Sequence, residues 1–170
     1  MRAAAMSLAL MMIAAAETRA QDQAFQYVGA AVQDAVVIDT RPAPACQAMT
    51  LKGARCLPPD SFLGPHRRLA ATPDILWSLG ASGLSGDETV MVVGDDPTAR
   101  DFVAGLLYLS GQRQVLILRM PVNQALASPQ ARSGPGTVRG IVRETVFQAT
   151  MRDELWVLRG ELAANLRGGT

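Results

Sequence analysis

The residues with most chemical potential lie together in Gly94-Asp95-Asp96-Pro97-Thr98-Ala99-Arg100. A short β-branched run, Val90 to Val93, stops at Gly94, and a helical pattern follows from Ala99 to Leu109. Strand, tight loop and helix in that order aim the loop's backbone N–H groups and the positive end of the helix at one small volume. Such a cradle suits an anion or a reactive side chain. The residue at its base sets the chemistry, and here it is Asp95, a carboxylate and not a nucleophile. The expectation is that Asp95 accepts the loop's own backbone donors while Arg100 returns to close the cradle. Asp39 and Arg41, at the end of another apolar run, form a second pair of charged candidates.

The other reactive side chains are few. The chain has two cysteines, Cys46 and Cys56, and one histidine, His66. The cysteines are ten positions apart, without the close Cys-x-x-Cys spacing that tunes thiol redox chemistry. A disulfide closing a short loop is expected in an oxidising compartment, the alternative being a reactive dithiol. No Cys/His cluster of the kind that holds zinc is present, and neither metal nor cofactor is expected. With 16 basic and 15 acidic side chains and no basic run, the chain offers no electrostatic footprint for nucleic acid.

The first 20 residues carry Arg2, an apolar segment from Ala3 to Ala16 and small residues before Gln21, the layout of a secretory signal peptide. The segment falls short of the about 20 residues that span a bilayer, so no stable membrane anchor is expected. An uncleaved anchor is the alternative. No cysteine follows the segment, which argues against a lipoprotein, and no Arg-Arg pair precedes it, which favours general secretion.

The elements that must position these residues alternate along the chain. Val36-Val37-Ile38 reads as a buried strand, Ala45 to Met49 as one or two helical turns, and Ala54 to Leu57 as a second short strand. A helix capped by Thr72, with Pro73 in its first turn, presents Ile75, Leu76 and Leu79 and ends at Gly80. After the Val90 strand, Phe102, Leu106 and Leu109 repeat at helical spacing, and Gln114 to Leu118 is a further strand. Short apolar strands separated by helices predict an α/β fold with a mainly parallel sheet.

In this order the motifs resemble those of rhodanese-like domains. The strand and Asp-x-Arg landmark corresponds to Val37-Ile38-Asp39-Thr40-Arg41, and Gly-Ala before a short strand and proline to Gly53-Ala54-Arg55-Cys56-Leu57-Pro58. Leu-x-x-x-Gly before a strand corresponds to Leu107 to Gly111 and Val115 to Leu118. In active members the central loop starts with cysteine and closes with arginine five positions later; Arg100 matches the arginine, which sets Asp95 at the cysteine position. The resemblance covers about Ala35 to Leu126. It implies a single rhodanese-like domain with flanking helices, in which Asp39 and Arg41 brace the fold beside the loop. Departures are Thr50-Leu51-Lys52 before Gly-Ala, Arg119-Met120-Pro121 after the last strand, and Asp95 itself. The non-catalytic half of tandem rhodaneses carries a similar Asp-Asp.

Sulfur transfer needs a thiolate to hold a persulfide. The resemblance therefore implies a non-catalytic binding or accessory module, with a divergent sulfurtransferase using Cys46 or Cys56 as the competing reading. The organisation expected is a signal peptide over 1–20, a rhodanese-like domain over 21–127, a Pro/Gly/Ser-rich linker or long loop over 128–136, and a helical extension over 137–170. In that extension Val138, Ile141, Val142, Thr145 and Val146, then Met151, Leu155, Leu158, Leu162 and Leu166, sit at helical spacing. It packs on its own domain or docks a periplasmic partner protein through Trp156.

The leader makes its own prediction. Intact-mass measurement on periplasmic material is expected to show a chain starting at Glu17 or Gln21. A full-length chain held in the membrane would overturn the reading.

Overall fold

The computed structural model describes residues 24–129, 131–140, 144–155 and 166–167. The expected leader lies outside the described residues, as do Trp156, Leu158 and Leu162 of the expected last helix. Among the described residues no helix is long and apolar enough to cross a membrane.

Six strands form the main sheet. They are β1 (Phe25–Val28), β2 (Val36–Asp39), β4 (Arg55–Cys56), β5 (Thr89–Val93), β6 (Gln114–Leu118) and β8 (Thr137–Val138). Their order is β1-β6-β5-β2-β4-β8, and every pairing is parallel. A separate antiparallel pair joins β3 (Thr50–Leu51) to β7 (Ser133–Gly134). Four helices accompany them among the described residues: α1 (Ala43–Ala48), α2 (Thr72–Ala81), α3 (Pro97–Leu109) and α4 (Val122–Leu126). The α/β architecture with a mainly parallel sheet is the one the sequence predicts.

The central strands read as unbroken apolar runs because both faces of the sheet are covered. Ile38, Val90, Val92, Val115 and Ile117 pack on one face with Ile75 and Leu79 of α2 and Val103 and Leu107 of α3. Val37, Met91, Val93, Leu116 and Leu118 pack on the other with Val122 and Ala125 of α4. Each such side chain contributes about 1.5–3 kcal/mol on full burial, which makes the register of β5 and β6 costly to slip.

Helix α2 departs from expectation at both ends. Thr72 is its first helical residue, and the cap position belongs to Ala71, which makes no side-chain capping bond. Its stop is Gly83, with φ at 76°, and not Gly80. Leu84 N–H donates to Leu79 O at 3.1 Å, the long bond of a Schellman motif. Gly80 itself is buried and helical, its carbonyl accepting from Gly83 N–H at 3.0 Å.

The stretch read as linker and then helix is the largest correction. Residues 133–138 hold β7 and β8, and Val138 lies on a strand. Thr145 to Thr150 is irregular, with Thr145 N–H donating to Gly80 O, Gln148 N–H to Ser85 O and Arg152 N–H to Leu109 O. The Arg152 guanidinium donates to Tyr108 O and Gln112 O and lies over the Tyr108 ring at 4.1 Å. This segment thus adds hydrogen bonds at the carbonyl ends of α2 and α3, where intrahelical donors run out. Docking by its own main chain, with Phe147 buried in the core, displaces the helical alternative that the spacing of Thr145 and Val146 suggested. Asp153–Leu155 forms a single 3-10 turn.

Cys46 of α1 and Cys56 of β4 form the expected disulfide, both sulfurs deeply buried. Gly136 crosses directly over it, its N–H donating to Cys46 O at 3.0 Å. A Cβ on Gly136 would lie 2.4 Å from Cys46 Sγ and 2.6 Å from Cys56 Sγ. The small residues of 133–136 therefore serve close packing, not looseness. Gly136→Ala is expected to cost about 1–3 kcal/mol by overpacking, read as a lower denaturation midpoint in the oxidised protein. An unchanged midpoint would show that the strap yields freely.

Candidate functional site

The site lies where β2 and β5 end side by side, at the carboxyl edge of the parallel sheet, the usual place for ligands in such folds. The chain leaves β5 through Gly94, which passes so close to β2 that a Cβ there would meet Thr40 Oγ1 at 2.2 Å. Thr40 in turn donates through both N–H and Oγ1 to Val93 O, at 2.9 and 3.1 Å. The two strand ends are so tied together, and Asp39, Arg41, Asp95 and Asp96 emerge from one small region.

Asp39 is fully buried and holds Arg41 by a bidentate pair, with Nη2 to Oδ2 at 2.7 Å and Nε to both oxygens at 3.1 Å. Arg41 N–H also donates to Asp39 Oδ1, and Arg41 Nη2 to Met49 O at 2.6 Å. The hydrogen bonds to Asp39 raise the pKa of the Arg41 guanidinium above its ordinary value, against the desolvation that lowers it, with the charge of Asp95 adding to the rise.

The two loop carboxylates have separate partners. Asp96 caps α3, its Oδ1 accepting from Thr98 N–H at 2.9 Å and its backbone oxygen from Arg100 N–H at 3.1 Å. Asp95 turns away from the loop. Its Oδ1 accepts from Val122 N–H at the start of α4, at 2.8 Å, and its Oδ2 stands 4.0 Å from Arg41 Nη1. The side chain remains 52% exposed. The expected clasp of Asp95 by the loop's own donors is therefore not formed: α3 starts at once with Pro97, which has no N–H, and Asp96 takes the Thr98 amide.

Arg100 also has a different job from the one expected. It is 6% exposed and donates through Nη1 to Leu118 O at 2.9 Å and Arg119 O at 3.2 Å, and through Nε to Asp101 at 3.2 Å. It caps the end of β6 instead of closing over Asp95. Gly94, Pro97, Thr98 and Ala99 supply shape: turn, helix start, capped amide and wall.

A cleft of about 640 Å³ opens beside these residues. Thr40, Arg41, Asp95, Asp96 and Ala99 form one side, and Pro42, Pro58 and Pro59 give it an apolar wall. Asp60 and Arg67 stand at the rim, paired with each other at 3.2 Å, both well exposed. Arg41 and Arg67 are thus engaged by carboxylates, and the cleft presents Asp95 to whatever enters. Cys46 and Cys56 are not part of its lining. Among the described residues no three His, Cys, Asp or Glu side chains converge as a metal site would require. Sequence reasoning missed the Val122 amide, and the only sign of it was Pro121, which commonly precedes a helix start.

The buried and exposed carboxylates should differ sharply on removal. Asp39→Ala strands the Arg41 charge and is expected to cost about 3–5 kcal/mol. Asp95→Ala removes one hydrogen bond from a half-exposed group and is expected to cost about 1 kcal/mol. Urea denaturation of the two variants reads the difference, and equal costs would show that Asp95 bears structural load.

No family model matches the sequence, and no curated protein sequence resembles it. Solved structures do. The chain superposes on SseA of Escherichia coli, a 3-mercaptopyruvate sulfotransferase described for its rhodanese fold, with a TM-score of 0.61 and 15% identity. That match covers 81% of this chain and 57% of SseA. A second, on YnjE, has a TM-score of 0.55 and 19% identity over 76% of this chain and 30% of that one. The chain thus spans less than two thirds of the structures it matches. At these identities the likeness speaks for architecture, and the architecture is that of a rhodanese-like domain.

Proposed function

We propose that the protein is an exported, non-catalytic rhodanese-like module that binds a partner or ligand at its cleft without transforming it. The observation that carries this is Asp95, a half-exposed carboxylate at the position where the resemblance sets the thiolate of active members. A carboxylate holds no persulfide, and Asp95 with Asp96 repels an anionic sulfur donor from the cleft. The Cys46–Cys56 bridge further supports the reading, because a bonded and buried sulfur pair is closed to the role of acceptor. Export rests on the leader composition, and engagement of a periplasmic partner through the C-terminal extension rests on the apolar spacing of its sequence with Trp156.

The test is cyanide-dependent thiocyanate formation from thiosulfate, with wild-type protein, oxidised and reduced, beside Asp95→Cys. No turnover is expected from wild type in either state. Little is expected from Asp95→Cys, since Asp96 still occupies the helix cap and Pro97 still removes a donor. Wild-type turnover lost on Cys46→Ser or Cys56→Ser would refute the proposal in favour of a divergent sulfurtransferase.

A further inference from the structure

A second cavity lies away from the cleft and shares no lining residue with it. It is a groove of about 570 Å³ on the face of the sheet that α4 covers only in part. Val37, Leu51 and Met91 form its apolar floor. A smaller pocket of about 130 Å³ shares Ala31, Gln33 and Ala131 with its lining and also touches Met120 and Ala125.

The rim of the groove is cationic. Leu51 of β3 stands opposite Ser133, and one step further Lys52 N–H donates to Arg132 O at 2.7 Å, which sets Lys52 and Arg132 side by side. Both line the groove. Like charges facing each other across a strand pair repel, and among the described residues neither side chain forms an ion pair. Asp34 is the one carboxylate on the lining, leaving an excess of positive charge. Two unmatched cations at the mouth of an apolar channel complement one chemistry, an anionic head on an apolar tail.

We propose that this groove binds a small amphiphilic carboxylate, with an unbranched alkyl chain of about ten carbons along the Val37, Leu51 and Met91 floor and its carboxylate bridging Lys52 and Arg132. Such a head relieves the repulsion between the two cations and accepts charge-assisted hydrogen bonds from both. The volume lies within the range of ordinary small-ligand sites.

Calorimetric titration of the full chain with decanoate, kept below its micelle concentration, tests the assignment. Acetate and decylammonium serve as comparators. Saturable one-to-one decanoate binding is expected, with no binding of either comparator. The Lys52→Glu/Arg132→Glu variant should bind at least about tenfold more weakly, the loss of charged hydrogen bonds. Ala31→Trp, at an exposed wall position, should block the groove with the thermal midpoint unchanged. Absence of saturable decanoate binding to folded wild type would overturn the proposal. So would affinity unaffected by charge reversal, or equal binding of decylammonium. A concentration-dependent dimer abolished by Ala31→Trp would also overturn it, by making the groove a contact between copies. All these readouts are independent of sulfur transfer and of Asp95.

Discussion

The buried pair of Asp39 and Arg41 is the constraint around which the carboxyl edge of the sheet is arranged. A carboxylate with no solvent contact tolerates burial only with its charge matched and its lone pairs occupied. Arg41 does both through a bidentate pair and a backbone N–H. The same guanidinium reaches Met49 O, which fixes the end of α1 against the turn after β2. It also faces Asp95 at 4.0 Å, which holds the loop after β5 in its orientation towards the cleft. One cation thereby joins the end of β2, the end of α1 and, across the sheet's edge, the loop after β5.

The charge state of the site follows from the same arrangement. Catalysis by sulfur transfer calls for donors aimed at a developing anion, with water held away. Here the Thr98 amide at the helix start is taken by Asp96, and Arg100 is held on the carbonyl end of β6. The apolar wall of Pro42, Pro58 and Pro59 lines the same cleft and gives it a surface for contact.

Cohesion at the opposite end of the helices depends on main-chain satisfaction. The segment from Thr145 to Arg152 carries few buried side chains, yet it closes the carbonyl ends of α2 and α3 and returns Arg152 to Tyr108 and Gln112. The disulfide performs the corresponding task near β4, with Gly136 laid over it so that the strap joins both β3 and β4. Neither device adds much apolar area, but each removes alternatives open to a short, Gly-rich chain.

The elements around β2, β5, α3 and β6 were legible in the sequence because burial on both sheet faces writes itself as β-branched runs, and α3 as a 3.6-residue repeat. So were the disulfide partners and the closeness of Asp39 and Arg41, since only two cysteines exist and the charged pair follows a strand directly. By contrast, β1, β3, β7 and β8 are two to four residues long, and their existence depends on partners far along the chain. No local pattern announces a strand that is stabilised only by its neighbour. The hydrogen bond of Asp95 to Val122, and the use of Arg100 on β6, likewise join residues about twenty or more positions apart. Sequence determined which charges meet at the sheet's edge. Which donor each one takes was decided by tertiary structure, because a side chain several bonds long bonds to the group that packing brings within about 3 Å, whatever its place in the chain.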